Sequence, residues 1–371
     1  MSESSSSMLL LGIGTSGCAM ARGVAASFGE GLRYVLADTD AHSGDLGGPF
    51  ALIGGDRLSG KGAGGDLVAA RLAAEDSLGS LDTLLEGVRL AVVVTALGGG
   101  TGSGATLESV KRLSERGIPS CVFATTPFAF EGEDRQRNAR GVINMIEEAA
   151  NACFFLPLDK LVGDEDQQMG GAMRKATAIM SAGLTLFWRL VEKPGYIRLD
   201  AERIRHLMAG SGRGRFATVV VEGEDRAVRA VEALSRSPLL LTASGPVRAM
   251  LCGVLAGDDL RLSEIATISD GLRRTFGQKA AFELGTVNDE ETFSGRLAVV
   301  LMLFESARRL DADDAEPAKA SESARRRRNE RTLLGTGPTG RGRFNNAEST
   351  IWNGEDLDVP TFIRRNINLD F

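Results

Sequence analysis

An α/β fold with buried parallel strands follows from three features of this chain. Short apolar runs recur between helical stretches: Met8-Leu-Leu-Leu11, Tyr34-Val-Leu-Ala37, Leu90-Ala-Val-Val-Val94, Ser120-Cys-Val-Phe-Ala124 and Cys153-Phe-Phe-Leu156. Runs that are apolar at successive positions suit strands covered on both faces by crossover helices. Glycine accounts for 46 of 371 residues and aromatic residues for only 5%, a balance that favours glycine loops between strands and helices over an all-β sandwich. The length, with 43% hydrophobic positions, is enough to bury two cores rather than one.

The five runs make a first domain over residues 8–169. Gly170-Gly171 then precedes a long apolar stretch, Ala172 to Val191, that ends at Pro194-Gly195 and reads as one buried central helix over 170–194. Phe216 to Val221, Val247 to Leu255 and Leu297 to Leu303 predict strands of a second, smaller sheet domain over 195–305. Near Ser306 the composition changes: an acidic block (Asp311, Asp313, Asp314, Glu316) meets a basic one (Arg325 to Arg328, Arg331). Such a segment cannot bury a core, so 306–355 is expected to be a disordered linker. Apolar anchors return in Leu357-Asp-Val-Pro-Thr-Phe-Ile-Arg-Arg365, which makes 356–371 a docking peptide.

Charge and composition exclude several functions. A net charge of −6, from 43 Lys and Arg against 49 Asp and Glu, argues against a surface that neutralises nucleic-acid phosphates. Cys18, Cys121, Cys153 and Cys252 form no CxxC pair, so neither a disulfide framework nor a zinc knuckle is expected. With only His42 and His206 available, a metal-ligand set and a Ser-His-Asp arrangement lack residues. No run reaches the length of a membrane span, and the polar start has no signal-peptide pattern, so the expected location is the cytoplasm.

Three glycine segments carry the chemistry. Gly12-Ile-Gly14-Thr-Ser-Gly17 follows a strand and opens a helix, with Asp38 at the end of the next strand, which fits a dinucleotide fingerprint and an NAD-dependent oxidoreductase. Gly55-Asp-Arg-Leu-Ser-Gly60-Lys61-Gly62 nearly matches a P-loop, but Gly62 stands where the magnesium-holding Ser or Thr belongs. Gly98-Gly-Gly-Thr101-Gly-Ser103-Gly104 has five glycines and two hydroxyls at the start of a helix, which lets backbone wrap an anion closely. Two such cradles on neighbouring strands suit a single nucleotide gripped from both sides, and a dehydrogenase has no use for the second.

The glycine run at 98–104 resembles the signature of the tubulin/FtsZ family, and the resemblance extends over nearly the whole chain. Asp38-Thr-Asp40-Ala41 resembles the family's Asn-Thr-Asp-Ala loop, and Lys61-Gly-Ala-Gly-Gly65 its third glycine loop. Thr126-Pro-Phe128-Ala-Phe130-Glu131-Gly132 with Arg135 is similar to its Pro-Phe-x-Phe-Glu-Gly-x-x-Arg segment. Ser237-Pro-Leu-Leu240 and Ala256 to Leu262 are similar to its second-domain motifs. The resemblance implies a Rossmann-like nucleotide domain and a smaller mixed-sheet domain joined by the central helix. It also implies GTP or GDP as ligand, with Mg2+ as a possible companion. The implied binding residues are Gly12, Gly14, Thr15, Ser16, Gly17, Cys18, Ala19, Asp40, Gly64, Gly65, Gly98, Gly99, Gly100, Thr101, Gly102, Ser103, Gly104, Thr126, Pro127, Glu131, Arg135 and Ala178, with Glu131 and Arg135 at the ribose or phosphates.

Two departures stand out. The family's guanine-reading Asn residues fall on Ala19, on Leu158 beside Asp159, and near Thr177-Ala178, so phosphate binding is better supported than guanine selectivity. The family's inter-subunit catalytic loop, Asn-x-Asp-Phe-x-x-Asp, falls on 195–203. There Asp200 matches, Arg198 and Arg203 replace Asn and the second acid, and Glu202 lies one position early. Arg203 can stabilise phosphoryl charge but cannot act as a base.

Asp200, Glu202 and Arg203 are therefore the candidate catalytic residues of a slow GTPase that polymerises head-to-tail at the division site. The alternative is a structural filament protein with weak or no hydrolysis. The tail resembles the family's terminal peptide, which implies membrane-adaptor division proteins as partners of Leu357 to Arg365 and no direct membrane span. A linker over 306–355 has an r.m.s. reach of roughly 40 Å, from ~5–6 Å × √n.

Overall fold

The computed structural model describes residues 7–162, 169–193, 195–199, 201–209, 211–241, 245–306, 351–352 and 355–356. The first half runs β1 (Met8–Ile13), α1 (Gly14–Phe28), β2 (Tyr34–Asp38), β3 (Phe50–Leu52), α2 (Gly55–Leu58), α3 (Leu67–Asp76), α4 (Leu78–Leu84), β4 (Leu90–Ala96), α5 (Gly100–Glu115), β5 (Ser120–Thr126), α6 (Glu133–Ala149) and β6 (Ala152–Pro157). A short α7 (Leu158–Val162) and the long α8 (Met169–Glu192) follow. The second half runs α9 (Ala201–Met208), β7 (Ser211–Glu222), α10 (Arg226–Ser235), α11 (Pro238–Leu241), β8 (Val247–Ala256), α12 (Leu262–Phe276), β9 (Ala281–Asn288), α13 (Glu290–Phe293) and β10 (Arg296–Ser306).

The apolar runs become strands buried on both faces, as their composition requires. Leu10, Val92, Val94 and Phe123 pack into one core with α1 and α8, while their neighbours Leu9, Leu11, Val93 and Val122 pack into another with α3, α5 and α6. The period of two along each strand sends successive side chains to opposite faces. β10 repeats the device: Ala298, Val300, Met302 and Phe304 join the core of α8, and Leu297, Val299, Leu301 and Leu303 join that of α10 and α12. Leu184, Phe187 and Trp188 of α8 thus share one core with both halves.

One expectation is corrected here. The strands of the second half do not form a separate sheet but continue the first, in the order β3-β2-β1-β4-β5-β6-β7-β10-β8-β9. The joint is narrow: β6 and β7 pair in parallel at Cys153 with Arg213 and Phe154 with Gly214. A Cβ at Gly214 would lie 2.5 Å from the Phe154 ring and 2.7 Å from the Leu303 carbonyl oxygen, so glycine permits the continuity. The other strands missing from the sequence reading are β3 and β9, the first only three residues long and the second broken by polar positions.

The expected linker over 306–355 and docking peptide over 356–371 lie outside the described residues, apart from Ser306, Ile351–Trp352 and Glu355–Asp356. The last two pairs form a small antiparallel pairing within a separate unit, Leu310–Phe371. Among the described residues, no helix is long and apolar enough to cross a membrane.

Candidate functional site

The chain leaves β1 toward β2 and leaves β4 toward β5, on the other side of the sheet. Helices diverging from adjacent strands open a crevice at the strands' C-terminal ends. A cavity of about 380 Å³ lies there. It is lined by the first turns of α1 and α5, by the loop from Lys61 to Gly65, and by Asp38, Asp40, Pro127, Glu131, Arg135, Leu158 and Met173.

Both helices present bare N-termini to the cavity. Neither Ile13 nor Gly99, the residues preceding them, supplies a side-chain cap, and neither first turn contains an acidic residue. The first N–H groups of two helices are therefore left for a ligand, and both helix dipoles favour an anion. The start of α5 is packed too closely for side chains: a Cβ at Gly14 of α1 would lie 3.1 Å from the Gly102 nitrogen, and one at Gly102 only 2.1 Å from the oxygen of Ala96 at the end of β4. Gly14 also has a φ of 74°, which favours glycine.

Hydroxyls fix this cradle. Thr95 Oγ1 shares its hydrogen between the carbonyl oxygens of Ile13 (3.1 Å) and Gly102 (3.0 Å), tying the end of β1 to the start of α5. The Gly98 N–H donates to Ser103 Oγ at 2.9 Å, and the hydroxyls of Thr39 and Thr101 meet at 2.6 Å. Ser103 is thus a buried brace inside the loop and does not line the cavity.

Asp38 bears on the dinucleotide alternative. Its buried carboxylate accepts from Thr15 Oγ1 (3.0 Å), Ser43 Oγ (2.5 Å) and the Thr39 N–H (2.7 Å). Three of the roughly four acceptor sites of this carboxylate are thus taken by internal donors, so Asp38 braces the loop after β2, which weakens the NAD reading.

The cavity brings together Gly14, Thr15, Ser16, Asp40, Gly64, Gly65, Gly99, Gly100, Thr101, Gly102, Pro127, Glu131 and Arg135 from the expected set. Glu131 accepts from the Phe128 N–H at 2.9 Å and pairs with Arg135 at 2.7 Å.

Gly12, Gly17, Cys18, Ala19, Gly98, Ser103, Gly104, Thr126 and Ala178 do not line it. Gly12 and Gly17 serve packing instead, since a Cβ at Gly17 would lie 2.5 Å from the Val94 oxygen where α1 crosses β4. Cys18 hydrogen-bonds the Gly12 and Ala37 carbonyls, and burial pushes its thiol up to about 12. Gly104 sits where α5 touches α3, 2.5 Å from the Leu67 oxygen for an added Cβ. Thr126 lines a neighbouring surface cavity, with Asp159. Ala178 is exposed on α8, and the turn of helix before it faces the site.

That turn lines a small apolar extension of the cavity. Met173, Ala176 and Thr177, at i, i+3 and i+4 on α8, meet Ser16, Met20 and Leu158 there. Among the described residues, no amide or carboxylate side chain lines this extension. Asp159 does not substitute for one, because its carboxylate accepts from the Ala129 N–H at 3.2 Å, outside the site. Lys61, Met173 and Ala176 are among the lining residues not in the expected set, whereas Thr177 stands where a guanine-reading Asn was aligned. Helical spacing back from Thr177 was the available signal for Met173 and Ala176.

Among the described residues, none of the loop at 195–203 lines the cavity of its own chain. Backbone bonds between Ile197 and Thr286 hold its start (Thr286 N–H to Ile197 oxygen, 2.8 Å), and a Cβ at Gly195 would collide with the Thr286 oxygen. Asp200 lies outside the described residues. Glu202 starts α9 and is engaged by Arg205, which holds its carboxyl below the usual range. Arg203 pairs with Glu283 at 3.1 Å. Neither side chain is free within the chain to act as a base. Among the described residues, no cluster of three or more metal-ligating side chains occurs.

Comparison with known proteins agrees with this architecture. The family model described as Tubulin/FtsZ family, GTPase domain, matches residues 9–165, and the FtsZ family, C-terminal domain, matches residues 212–304. A protein of Pseudomonas aeruginosa named cell division protein FtsZ is 27% identical over 361 residues, covering 96% of this chain and 88% of that one. Its namesake in Pseudomonas putida is 29% identical over 288 residues, covering 76% and 72%. Among solved structures, an empty FtsZ dimer of M. jannaschii is similar with a TM-score of 0.75 at 23% identity, covering 80% of this chain and 87% of that one. CetZ2 from Haloferax volcanii, solved as a GTPgS-bound protofilament, is similar with a TM-score of 0.68 at 21% identity, covering 88% and 99%. These structural likenesses carry the fold.

Proposed function

The chain belongs to the tubulin/FtsZ family, as a cytoskeletal GTP-binding protein of cell division, and we propose that it polymerises head-to-tail with nucleotide held between successive subunits. The observation that carries this reading is the convergence of two uncapped helix N-termini on one cavity, to whose described lining the loop at 195–203 contributes no residue. A site whose catalytic loop lies elsewhere on the same chain is completed by a second copy. A contact between two different faces does not close on itself, so repetition gives a filament.

In the assembled state, Gly14, Gly99 to Gly102 and the Gly64-Gly65 turn hold the phosphates through backbone N–H groups. Glu131 and Arg135 meet the ribose. Mg2+, when bound, would neutralise phosphate charge, and Asp40, a carboxylate lining the cavity, would be a residue to hold it. Asp200 from the neighbouring subunit orients the attacking water, and Arg203 in place of a second acid makes hydrolysis slow. Leu357, Val359, Phe362 and Ile363 anchor the filament to a membrane adaptor at the division site.

A second reading, a filament that binds nucleotide without hydrolysing it, is favoured by one observation: both Glu202 and Arg203 are committed to neighbours within their own chain. Sedimentation with GTP, ATP, GDP or no nucleotide, with phosphate release followed in parallel, separates the two. Pelleting that needs GTP and releases phosphate, with release abolished in Asp200→Ala, supports the GTPase. GTP-dependent pelleting with no release supports the second reading. Pelleting indifferent to nucleotide overturns both.

A further inference from the structure

The near-P-loop segment at 55–62 is left unused by the reading above, and it places one charged side chain at the cavity. Five ionisable side chains line that cavity: Asp38, Asp40, Lys61, Glu131 and Arg135. The four besides Lys61 each have a protein partner. Asp38 accepts from Thr15, Ser43 and the Thr39 N–H; Asp40 pairs with His42 at 2.9 Å; Glu131 pairs with Arg135, which keeps donors for a ligand. Lys61 has no side-chain hydrogen bond or ion pair among the described residues.

The backbone carrying Lys61 is held firmly. The Ala41 N–H donates to the Gly60 oxygen (3.0 Å), the Gly62 N–H to the Thr39 oxygen (3.1 Å), and the Lys61 N–H to the Leu58 oxygen (3.1 Å). Lys61 therefore stands in a fixed bridge to Asp40, at the rim of the cavity. The apolar extension at Leu158 and Met173 shares none of this loop. A nucleotide lying in the main cavity with its base on the Leu158 and Met173 side and its first phosphates on the helix N-termini has the Lys61 to Gly65 loop as the remaining part of the lining for its terminal phosphate. An ammonium is a compact charge with three donors, suited to a phosphate at the end of a chain.

We propose that Lys61 binds the terminal phosphate of the nucleotide and carries there part of the charge neutralisation otherwise left to a divalent cation. This rests on the nucleotide reading above and adds a residue to it. Placed by a bridged loop at the third glycine turn, Lys61 makes the site discriminate triphosphate from diphosphate.

The test is nucleotide affinity of the full chain, measured below the polymerisation threshold for GTP, GDP and guanosine, with Mg2+ and with a chelator. Lys61→Met keeps the stem and removes the charge. It is expected to weaken GTP binding about tenfold in chelator and about threefold in Mg2+. GDP is expected to change by less, guanosine not at all, and Lys61→Arg to restore most of the loss. Parent protein that binds GTP and GDP while Lys61→Met binds them equally well overturns this inference alone. A variant that binds normally as monomer but fails to polymerise also overturns it, because Lys61 then meets the neighbouring subunit. Parent protein that binds neither nucleotide overturns the nucleotide reading and this inference with it.

Discussion

The two ends of the cavity are built from different materials. The end proposed for phosphates is lined by backbone: the first N–H groups of α1 and α5, which no side chain caps. The other end is lined by side chains: Leu158, Met173, Ala176 and Thr177. Backbone donors are present in any sequence that keeps the glycines, whereas each side chain can change alone. Leu158, Met173 and Ala176 also pack in or against the core of α1 and α8, so apolar residues there add burial that a polar base reader would forgo. Gripping phosphates and choosing a base are therefore physically separable, and the two can change independently.

The strongest way to break this contrast is to put a side chain into the backbone end. Gly102→Val places a Cβ 2.1 Å from the Ala96 oxygen, which cannot be relieved without moving the end of β4 or the start of α5. Nucleotide affinity should fall by at least about a hundredfold, on the scale of overpacking a rigid site. Thr101→Ala, which loses a hydroxyl pair but no backbone donor, should cost only about threefold. Equal losses in the two variants, by titration with unfolding temperature as control, would show that the side chains and not the backbone hold the phosphates.

The next prediction sharpens the other end. A pocket that hydrogen-bonds a ligand's polar edge can reject the wrong ligand by ~10⁴-fold, while an apolar pocket discriminates by only ~10–200-fold. With no amide or carboxylate among the described lining of the extension, GTP and ATP should bind within about tenfold of each other. Leu158→Asn with Thr177→Asn should widen the gap in favour of GTP by about another tenfold. Because Leu158 is buried, the double variant should also unfold at a lower temperature, by about 2–3 kcal/mol of stability. Native protein that prefers GTP over ATP a thousandfold would end the argument for an unread base.

How much of this was legible follows the same division. Strands β1, β2, β4, β5 and β6 were visible because burial on both faces forces continuous apolar runs, and the glycine cradle because few other structures need five glycines in seven residues. The continuity of the sheet was not visible, since it hangs on one two-residue pairing that Gly214 allows, and a single glycine has no pattern. Asp38 read as a ribose acceptor because sequence shows its position but not Thr15 and Ser43 folding onto it. Gly12, Gly17 and Gly104 counted as ligand contacts for a related reason: the glycines of a loop look alike in sequence, while these three serve packing. Lys61 was discounted by its P-loop spacing, and it is the tertiary bridge to Asp40 that brings it to the cavity.

The smallest expected effect lies at the rim, where charge acts through water. Asp40 accepts from the backbone N–H and the ring of His42, both at 2.9 Å. Those contacts hold the Asp40 carboxyl below its ordinary 3.8 and, through the side-chain bond first, raise the His42 imidazole above its ordinary 6.5. For His42, whose folded value is raised, the contribution is complete below 6.5 and fades as pH climbs through the folded value. For Asp40, whose folded value is lowered, it is complete above 3.8 and is lost as pH falls through the folded value. The pair is therefore fully formed between these ordinary values, and His42 loses its positive charge as pH rises through its raised folded value. Both groups are open to solvent and screened by salt, so nucleotide affinity should fall by no more than about twofold between about pH 6 and about pH 8. His42→Ala should flatten that slope at low salt and leave the affinity at the alkaline end unchanged. A slope that persists in His42→Ala would assign the titration to the nucleotide's own phosphate, and the rim would then contribute nothing that the backbone cradle does not already supply.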